Sequence, residues 1–150
     1  MEALSVTRDF TFEMAHHLPG HDGLCVNIHG HSYLLSVTLR GIPLNNPGTA
    51  KDGMLIDFGD LKSIVEKAVL ELLDHTLVLR DSTESQEVKR ALHNIGVEKV
   101  LLLPNQPTCE NMLLFIKDKL LAVMPEQLTL TQIQLRETAN TRAEWRLDES

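Results

Sequence analysis

Cysteine is scarce in this sequence. Cys25 and Cys109 are the only two in 150 residues, which excludes a scaffold built on disulfides. No apolar run approaches the roughly 20 residues of a membrane span. Positive charge is in the minority: 14 Lys and Arg against 21 Asp and Glu give a net charge of −7. That balance argues against a protein whose work is to cover nucleic acid or anionic membrane, since both need a basic footprint. The N-terminal stretch MEALSVTRDFTFE is acidic and polar where a secretory signal needs an apolar core, so a cytoplasmic protein is expected. Internal repeats, low-complexity tracts and Pro/Ser-rich linkers are missing too, and a single domain over residues 1–150 is expected. Apolar residues at 43% and charged residues at 23% lie in the globular range. A chain of this length can bury a core without cross-links.

Histidine is what the sequence has in plenty. Five of its seven histidines (His16, His17, His21, His29 and His31) fall within sixteen residues, alongside Cys25. Uneven placement of metal-type side chains is the first feature that points to chemistry.

The hydrophobic pattern places these residues on elements. Leu4 to Phe12 alternates imperfectly, with Val6, Phe10 and Phe12 in phase, and reads as a strand. His31 to Leu39 is rich in β-formers and reads as a second strand. The Gly/Pro/Asp loop between them carries Cys25. After a turn-rich connection, GIPLNNPGTAKDG, Asp57 and Asp60 resemble an N-cap and an acidic first turn. Leu61, Ile64, Val65, Ala68, Val69 and Leu72 follow at helical spacing, and the helix should stop near Asp74 and His75. Arg80 to Gly96 is polar and partly helical at most. Val100 to Leu103 reads as a short buried strand, broken by Pro104 and Pro107. Thr108 can cap a helix carrying Met112, Phe115, Ile116, Leu120 and Val123, which Pro125 ends. Leu128 to Glu137 alternates as a strand, with Thr141 to Leu147 as its hairpin partner. The order β-β-α-α-β-β predicts an α+β domain: an antiparallel sheet with two helices on one face. The other face needs cover, which a second subunit can supply.

His29-Gly30-His31 is the first chemical motif. On an extended strand, period-two geometry points both imidazoles to one side. Neutral imidazole suits zinc, and Gly30 keeps the intervening position free of bulk. A third histidine, His16 or His17, would come from the end of the preceding strand. Three histidines without a fourth protein ligand make an open site that can hold water or a substrate oxygen. A lone His-x-His is also common as ordinary surface or core histidine, and Cys25 offers a rival assignment as a fourth, structural ligand. Spaced pairs such as CxxC, usual in structural zinc sites, do not occur here.

Other residues carry similar pairs of readings. Near a cation, the Cys25 thiolate can act as base or nucleophile, because the positive field lowers its pKa; the plainer reading is a buried apolar cysteine. Cys109 fits that plainer reading better, although a helix N-terminus can also lower a thiol pKa. Asp74-His75 can work as a proton relay, with the carboxylate orienting the imidazole, or can simply be a polar helix end. Glu137, at the end of an apolar strand, can accept two hydrogen bonds from an amino-pyrimidine NH and NH2. Surface placement is the default for Glu.

Taken in order, FTFEMAHHL, CVNIHGH, GMLIDFGDLK, the DH after the helix, QPTCEN and RETANTRAEW resemble the 6-pyruvoyl-tetrahydropterin synthase / 6-carboxytetrahydropterin synthase family, from about Arg8 to Trp145. In length and style the chain looks closer to the bacterial 6-carboxytetrahydropterin synthases of the queuosine pathway. The resemblance implies a tunnelling fold: a four-stranded antiparallel sheet, two helices on one side, and barrels made by subunit assembly. It implies a homo-oligomer, commonly a hexamer of two stacked trimers, with sites between subunits.

The resemblance also implies site residues. Zinc would sit on His16, His29 and His31; His16 is preferred to His17 because it holds the histidine position of the pattern F-x-x-A-H, Phe12 to His16. Cys25 falls on the catalytic base, His75 on its relay partner, Asp74 on the residue orienting that histidine, and Glu137 on the anchor of the pterin ring. Thr108 and Cys109 occupy the pterin-contacting segment, where Thr, Ser or Ala is more usual than Cys. The implied reaction turns 7,8-dihydroneopterin triphosphate into 6-carboxy-5,6,7,8-tetrahydropterin, acetaldehyde and triphosphate. Alternatives are the 6-pyruvoyl product, a shortened hydroxymethyl pterin, and a non-catalytic zinc-stabilised assembly module. Cys25 speaks against the hydroxymethyl branch, which typically carries glutamate there. The chain departs from the pattern in a longer stretch between His75 and Pro107, in lacking the Asn that often follows the DH pair, and in a short loop from His17 to Leu24.

Overall fold

The structure, a computed structural model, describes residues 1–148. Its strands are β1 (Leu4–His16), β2 (His29–Gly41), β3 (Thr76–Arg80), β4 (Val100–Leu103), β5 (Thr129–Thr138) and β6 (Thr141–Arg146). They form one six-stranded sheet in the order β4-β3-β1-β2-β5-β6. Helix α1 begins as Phe58–Val65, passes through a π-helical stretch at Glu66–Leu70 and ends as Glu71–Leu73. Helices α2 (Thr83–Asn94) and α3 (Cys109–Leu121) complete the described elements, with a short 3-10 turn at Leu24–Val26.

The α+β class stands, but the sheet is larger than the four antiparallel strands expected. The β1–β2, β2–β5 and β5–β6 pairs are antiparallel, as expected. β3 and β4 add two parallel pairings, Met14↔Thr76 through His16↔Val78 and Leu77↔Val100 through Arg80↔Leu103. Parallel neighbours need a crossover connection. The polar stretch after Arg80 supplies it as α2, a third helix beyond the two expected. Ser82 caps α2 in a reciprocal capping box with Ser85. Only Ser85 of α2 is buried, so α2 spans the connection without adding to the core.

The remaining two helices pack on one face of the sheet. Period-two alternation sends Phe10, Phe12, Met14, Tyr33, Leu35, Val37, Leu39, Ile133 and Leu135 to that face, where they share one core with Leu61, Val65, Val69, Leu73, Met112, Ile116 and Leu120 of the helices. Burying each such side chain contributes about 1.5–3 kcal/mol. The buried positions of α1 recur every four residues. In a helix of 3.6 residues per turn that spacing drifts by about 40° per step, and the wider π-helical turn takes up the drift. Asp57 caps α1 by accepting from the Gly59 N–H at 2.7 Å, and Thr108 caps α3 by accepting from the Asn111 N–H at 3.2 Å. Both caps are as expected from sequence.

Candidate active site

The core face of β1 and β2 continues into the histidine cluster. The register Phe12↔Tyr33, Met14↔His31, His16↔His29 carries the apolar stripe of each strand one step further and replaces it with imidazole. His16 is 1% exposed, the largest polar intrusion into the core. Gly30 lies between the two β2 histidines, and a Cβ there would meet the Met14 carbonyl oxygen at 3.3 Å. The three rings stand steeply to one another, with centroids 4.5, 5.2 and 5.0 Å apart. One ligand atom from each of His16, His29 and His31 lies within 4.8 Å of the others. Among the described residues no other such group forms, and the Cys25 thiol is not part of it. The rival assignment of Cys25 as a fourth ligand is therefore not supported.

Ring tautomers test whether this cluster suits a metal. His16 Nδ1 lies 2.7 Å from the Pro107 carbonyl and His29 Nδ1 lies 2.7 Å from the Asn27 carbonyl. A carbonyl only accepts, so both Nδ1 atoms carry the hydrogen. In the neutral rings both Nε2 atoms then bear lone pairs, and they face each other at 2.9 Å. Two lone pairs at that distance repel unless a cation lies between them. Backbone carbonyls that fix the outward ring nitrogen are the usual support for metal-binding histidine. Burial pushes the His16 pKa below its ordinary value, with the neighbouring His29 acting in the same direction. The ring is thus kept neutral, the form that binds metal. The three imidazoles fit a divalent ion.

Glu137 closes the other side. Leu35 pairs with Leu135 and Leu34 with Arg136; one further step brings Glu137 beside Tyr33. The Tyr33 hydroxyl donates to Glu137 Oε1 at 3.4 Å. The same oxygen lies 3.6 Å from Nε2 of His16 and 3.6 Å from Nε2 of His31. Burial raises the Tyr33 pKa above the ordinary phenol range, and the Glu137 carboxylate adds to the shift. Tyr33 therefore stays a donor. The segment before and into α3 ties to this site at two points: the Pro107 carbonyl holds His16, and Cys109 Sγ donates to the Leu135 carbonyl at 3.4 Å. Burial, reinforced by Glu137, pushes the Cys109 thiol up to about 11. This favours the plainer reading of Cys109 over a thiol activated by the helix N-terminus. Thr108 has its hydroxyl engaged as the α3 cap.

Asp74 and His75 do touch. His75 Nδ1 lies 3.0 Å from Asp74 Oδ1. Glu13 clasps the pair with its backbone: its N–H donates to Asp74 Oδ1 at 2.9 Å and its carbonyl accepts the His75 N–H at 2.6 Å. That N–H bond holds down Asp74 below the usual carboxylate range, and His75 contributes after it. His75 has φ +60°, the one positive φ among described non-glycine residues. This left-handed conformation costs about 1–2 kcal/mol and survives only where the surroundings impose it. His75 lines an open groove of about 440 Å³ with His31, Glu13, Ser32 and Lys99. Glu13, Ala15, Gly30 and Ser32 alternate with the buried positions, so most of this groove opens on the sheet face opposite the helices. Cys25 lies in the 3-10 turn Leu24–Val26, with its carbonyl accepting the Leu18 N–H at 3.3 Å. Among the described residues no hydrogen bond joins Cys25 to Asp74 or His75 within the chain.

Tyr33, Glu13 and the Pro107 carbonyl escaped the sequence reading. Tyr33 had a usable signal, since it continues the His29, His31 alternation by one step. The other two act through backbone atoms of residues distant in sequence and left none.

Comparison with known proteins places the chain in a family. The family model described as 6-pyruvoyl tetrahydropterin synthase matches residues 5–148. A 6-carboxy-5,6,7,8-tetrahydropterin synthase of Haemophilus influenzae is 39% identical over 140 residues, covering 93% of this chain and 96% of that protein. One from Rickettsia typhi is 31% identical over 139 residues, covering 91% and 96%. In fold, the chain is similar to the Caenorhabditis elegans 6-pyruvoyl tetrahydropterin synthase, with a TM-score of 0.69 at 23% identity over 99% of this chain and 98% of that one. The Plasmodium vivax 6-pyruvoyl tetrahydropterin synthase gives 0.70 at 19% identity, with 99% of each chain covered. With a family match across nearly the whole length and close relatives aligned end to end, the chain belongs to the 6-pyruvoyl tetrahydropterin synthase family.

Proposed function

We propose that the protein converts 7,8-dihydroneopterin triphosphate and one water to 6-carboxy-5,6,7,8-tetrahydropterin, with release of acetaldehyde and triphosphate. The observation that carries this reading is the meeting of three imidazoles and the Glu137 carboxylate at one strand end, with Glu137 Oε1 3.6 Å from two of the rings. The names of the relatives from Haemophilus influenzae and Rickettsia typhi support the choice of product.

His16, His29 and His31 would hold zinc, whose chemistry at this place is Lewis acidity toward the oxygens of the pterin side chain. Glu137 accepts hydrogen bonds from the ring NH and NH2 and fixes the pterin relative to the histidines, the positioning part of catalysis. Tyr33, kept protonated, donates to that carboxylate and orients it. Cys25 Sγ takes a proton from the side chain. His75, oriented through Nδ1 by Asp74, exchanges a proton on the other side.

The site is completed by a second copy of the chain in a homo-oligomer, a trimer or hexamer. Two features support this. His75 opens mainly on the face opposite the helices, away from the core stripe that ends in His16. Around Cys25, Leu24 and Ile28 are 87% and 57% exposed, apolar surface suited to cover by another subunit.

Mass analysis of the products formed from 7,8-dihydroneopterin triphosphate tests the reading. A 6-carboxytetrahydropterin product with acetaldehyde is expected. A 6-pyruvoyl product would overturn the assigned outcome, and no turnover would overturn the enzyme reading.

A further inference from the structure

Lys99 lies outside every motif and has no part in the chemistry above, yet it holds the segment that presents His75. The last turn of α1 leaves carbonyls without intrahelical donors. Leu70 O still has its helical donor, the Asp74 N–H at 2.8 Å, whereas Leu72 O accepts the Thr76 hydroxyl at 2.8 Å. Lys99 Nζ donates to Glu71 O at 3.0 Å and also to Asp74 O. An ammonium there also meets the negative end of the helix dipole.

The consequence falls on a single peptide unit. The C=O of the Asp74–His75 peptide accepts from Lys99, and its N–H donates to Glu13 O at 2.6 Å. That plane leads directly into the left-handed residue His75. A non-glycine residue keeps such a conformation only where neighbours over-determine it. Lys99 is itself fixed from behind. The Leu77 N–H donates to Lys99 O at 3.0 Å, and Leu77 pairs with Val100 in the parallel β3–β4 ladder. The long connection from β3 through α2 to the start of β4 thus delivers one ammonium to the end of α1.

We propose that Lys99 is a positioning residue for the Asp74–His75 pair, setting the peptide orientation from which His75 works. The proposal rests on the function proposed above. It is tested in the full chain with Lys99→Met, Lys99→Arg, His75→Ala and the Lys99→Met/His75→Ala double variant, using 7,8-dihydroneopterin triphosphate. In Lys99→Met, kcat should fall on the order of tenfold with KM within about twofold, because the two charge-assisted hydrogen bonds that are lost go to the Glu71 and Asp74 carbonyls and not to substrate. Lys99→Arg should recover most of the rate. The double variant should match His75→Ala, since residues that act through one another are not additive. Amide hydrogen exchange at His75 should quicken in Lys99→Met, a readout that needs no turnover.

Unchanged kcat in Lys99→Met, a further loss in the double variant, or unaltered exchange at His75 would each overturn the positioning role. A raised KM at constant kcat would overturn it in favour of direct contact with the substrate. An active wild type with a normal Lys99→Met variant sinks this inference alone, whereas an inactive wild type sinks the proposed function with it.

Discussion

The backbone N–H of Glu13 donates to Asp74 Oδ1 at 2.9 Å, across 61 residues of sequence. It is the main reason the Asp74 carboxyl is held below its ordinary pKa, followed by the His75 contact. A carboxyl whose pKa is lower in the folded chain contributes stability above its unfolded pKa. That contribution is lost as pH falls through the folded value. Asp74→Asn should therefore melt below the wild type at neutral pH. The gap should begin to narrow below about pH 4, where the unfolded carboxyl takes up its proton first, and should close once the folded carboxyl is protonated as well. Thermal melts of both proteins from acid to neutral pH check this. Asp74 is partly exposed, so solvent screening keeps the gap small.

Cys25 is the proposed base. Cys25→Ala should lose on the order of 100-fold or more in kcat, the usual contribution of a positioned acid or base. Its metal content should match the wild type, because the thiol is outside the ligand group. Kinetics and elemental analysis on the same preparation check both halves. Full activity would remove Cys25 from the mechanism; loss of metal would revive its role as a ligand.

His29 offers the cleanest test of the proposed metal centre, since it is less buried than His16. His29→Ala should bind zinc at least about 100-fold more weakly, because losing even an outer partner of a ligand costs 10–100-fold. Secondary structure should persist, as the β1–β2 ladder is made by backbone atoms. Zinc titration with a competing chelator, alongside circular dichroism, checks it.

Much of this molecule could be read locally. The histidine pair on β2 was legible because strand alternation alone puts His29 and His31 on one side. Asp57 and Thr108 were legible as caps because capping is a short-range hydrogen bond. β3 was not. TLVLR is five residues, too short to separate from a helix tail by periodicity, and its partners are the far end of β1 and β4. The same pairings made α2 necessary as a crossover, although a helix burying only Ser85 shows little apolar stripe. Glu13 and Lys99 stayed hidden because one acts through backbone atoms and the other grips carbonyls, and neither leaves a side-chain signature.

The sharpest test concerns the subunit boundary. Within one chain Cys25 makes no hydrogen bond to the Asp74–His75 pair, and His75 opens mainly on the sheet face opposite the helices. If a neighbouring chain supplies the relay, Cys25→Ala and His75→Ala damage different halves of a shared site. Each variant alone should be nearly inactive. Co-expressed with different tags and purified through both, they should form mixed oligomers that regain activity. With random assortment, half the sites keep Cys25 and half of those keep His75, giving about a quarter of wild-type activity. A site contained in one chain always carries one lesion, so the mixture would stay as inactive as its parents. Size-exclusion chromatography with light scattering on the mixed sample confirms that both variants share one particle. Its turnover then decides between the two architectures.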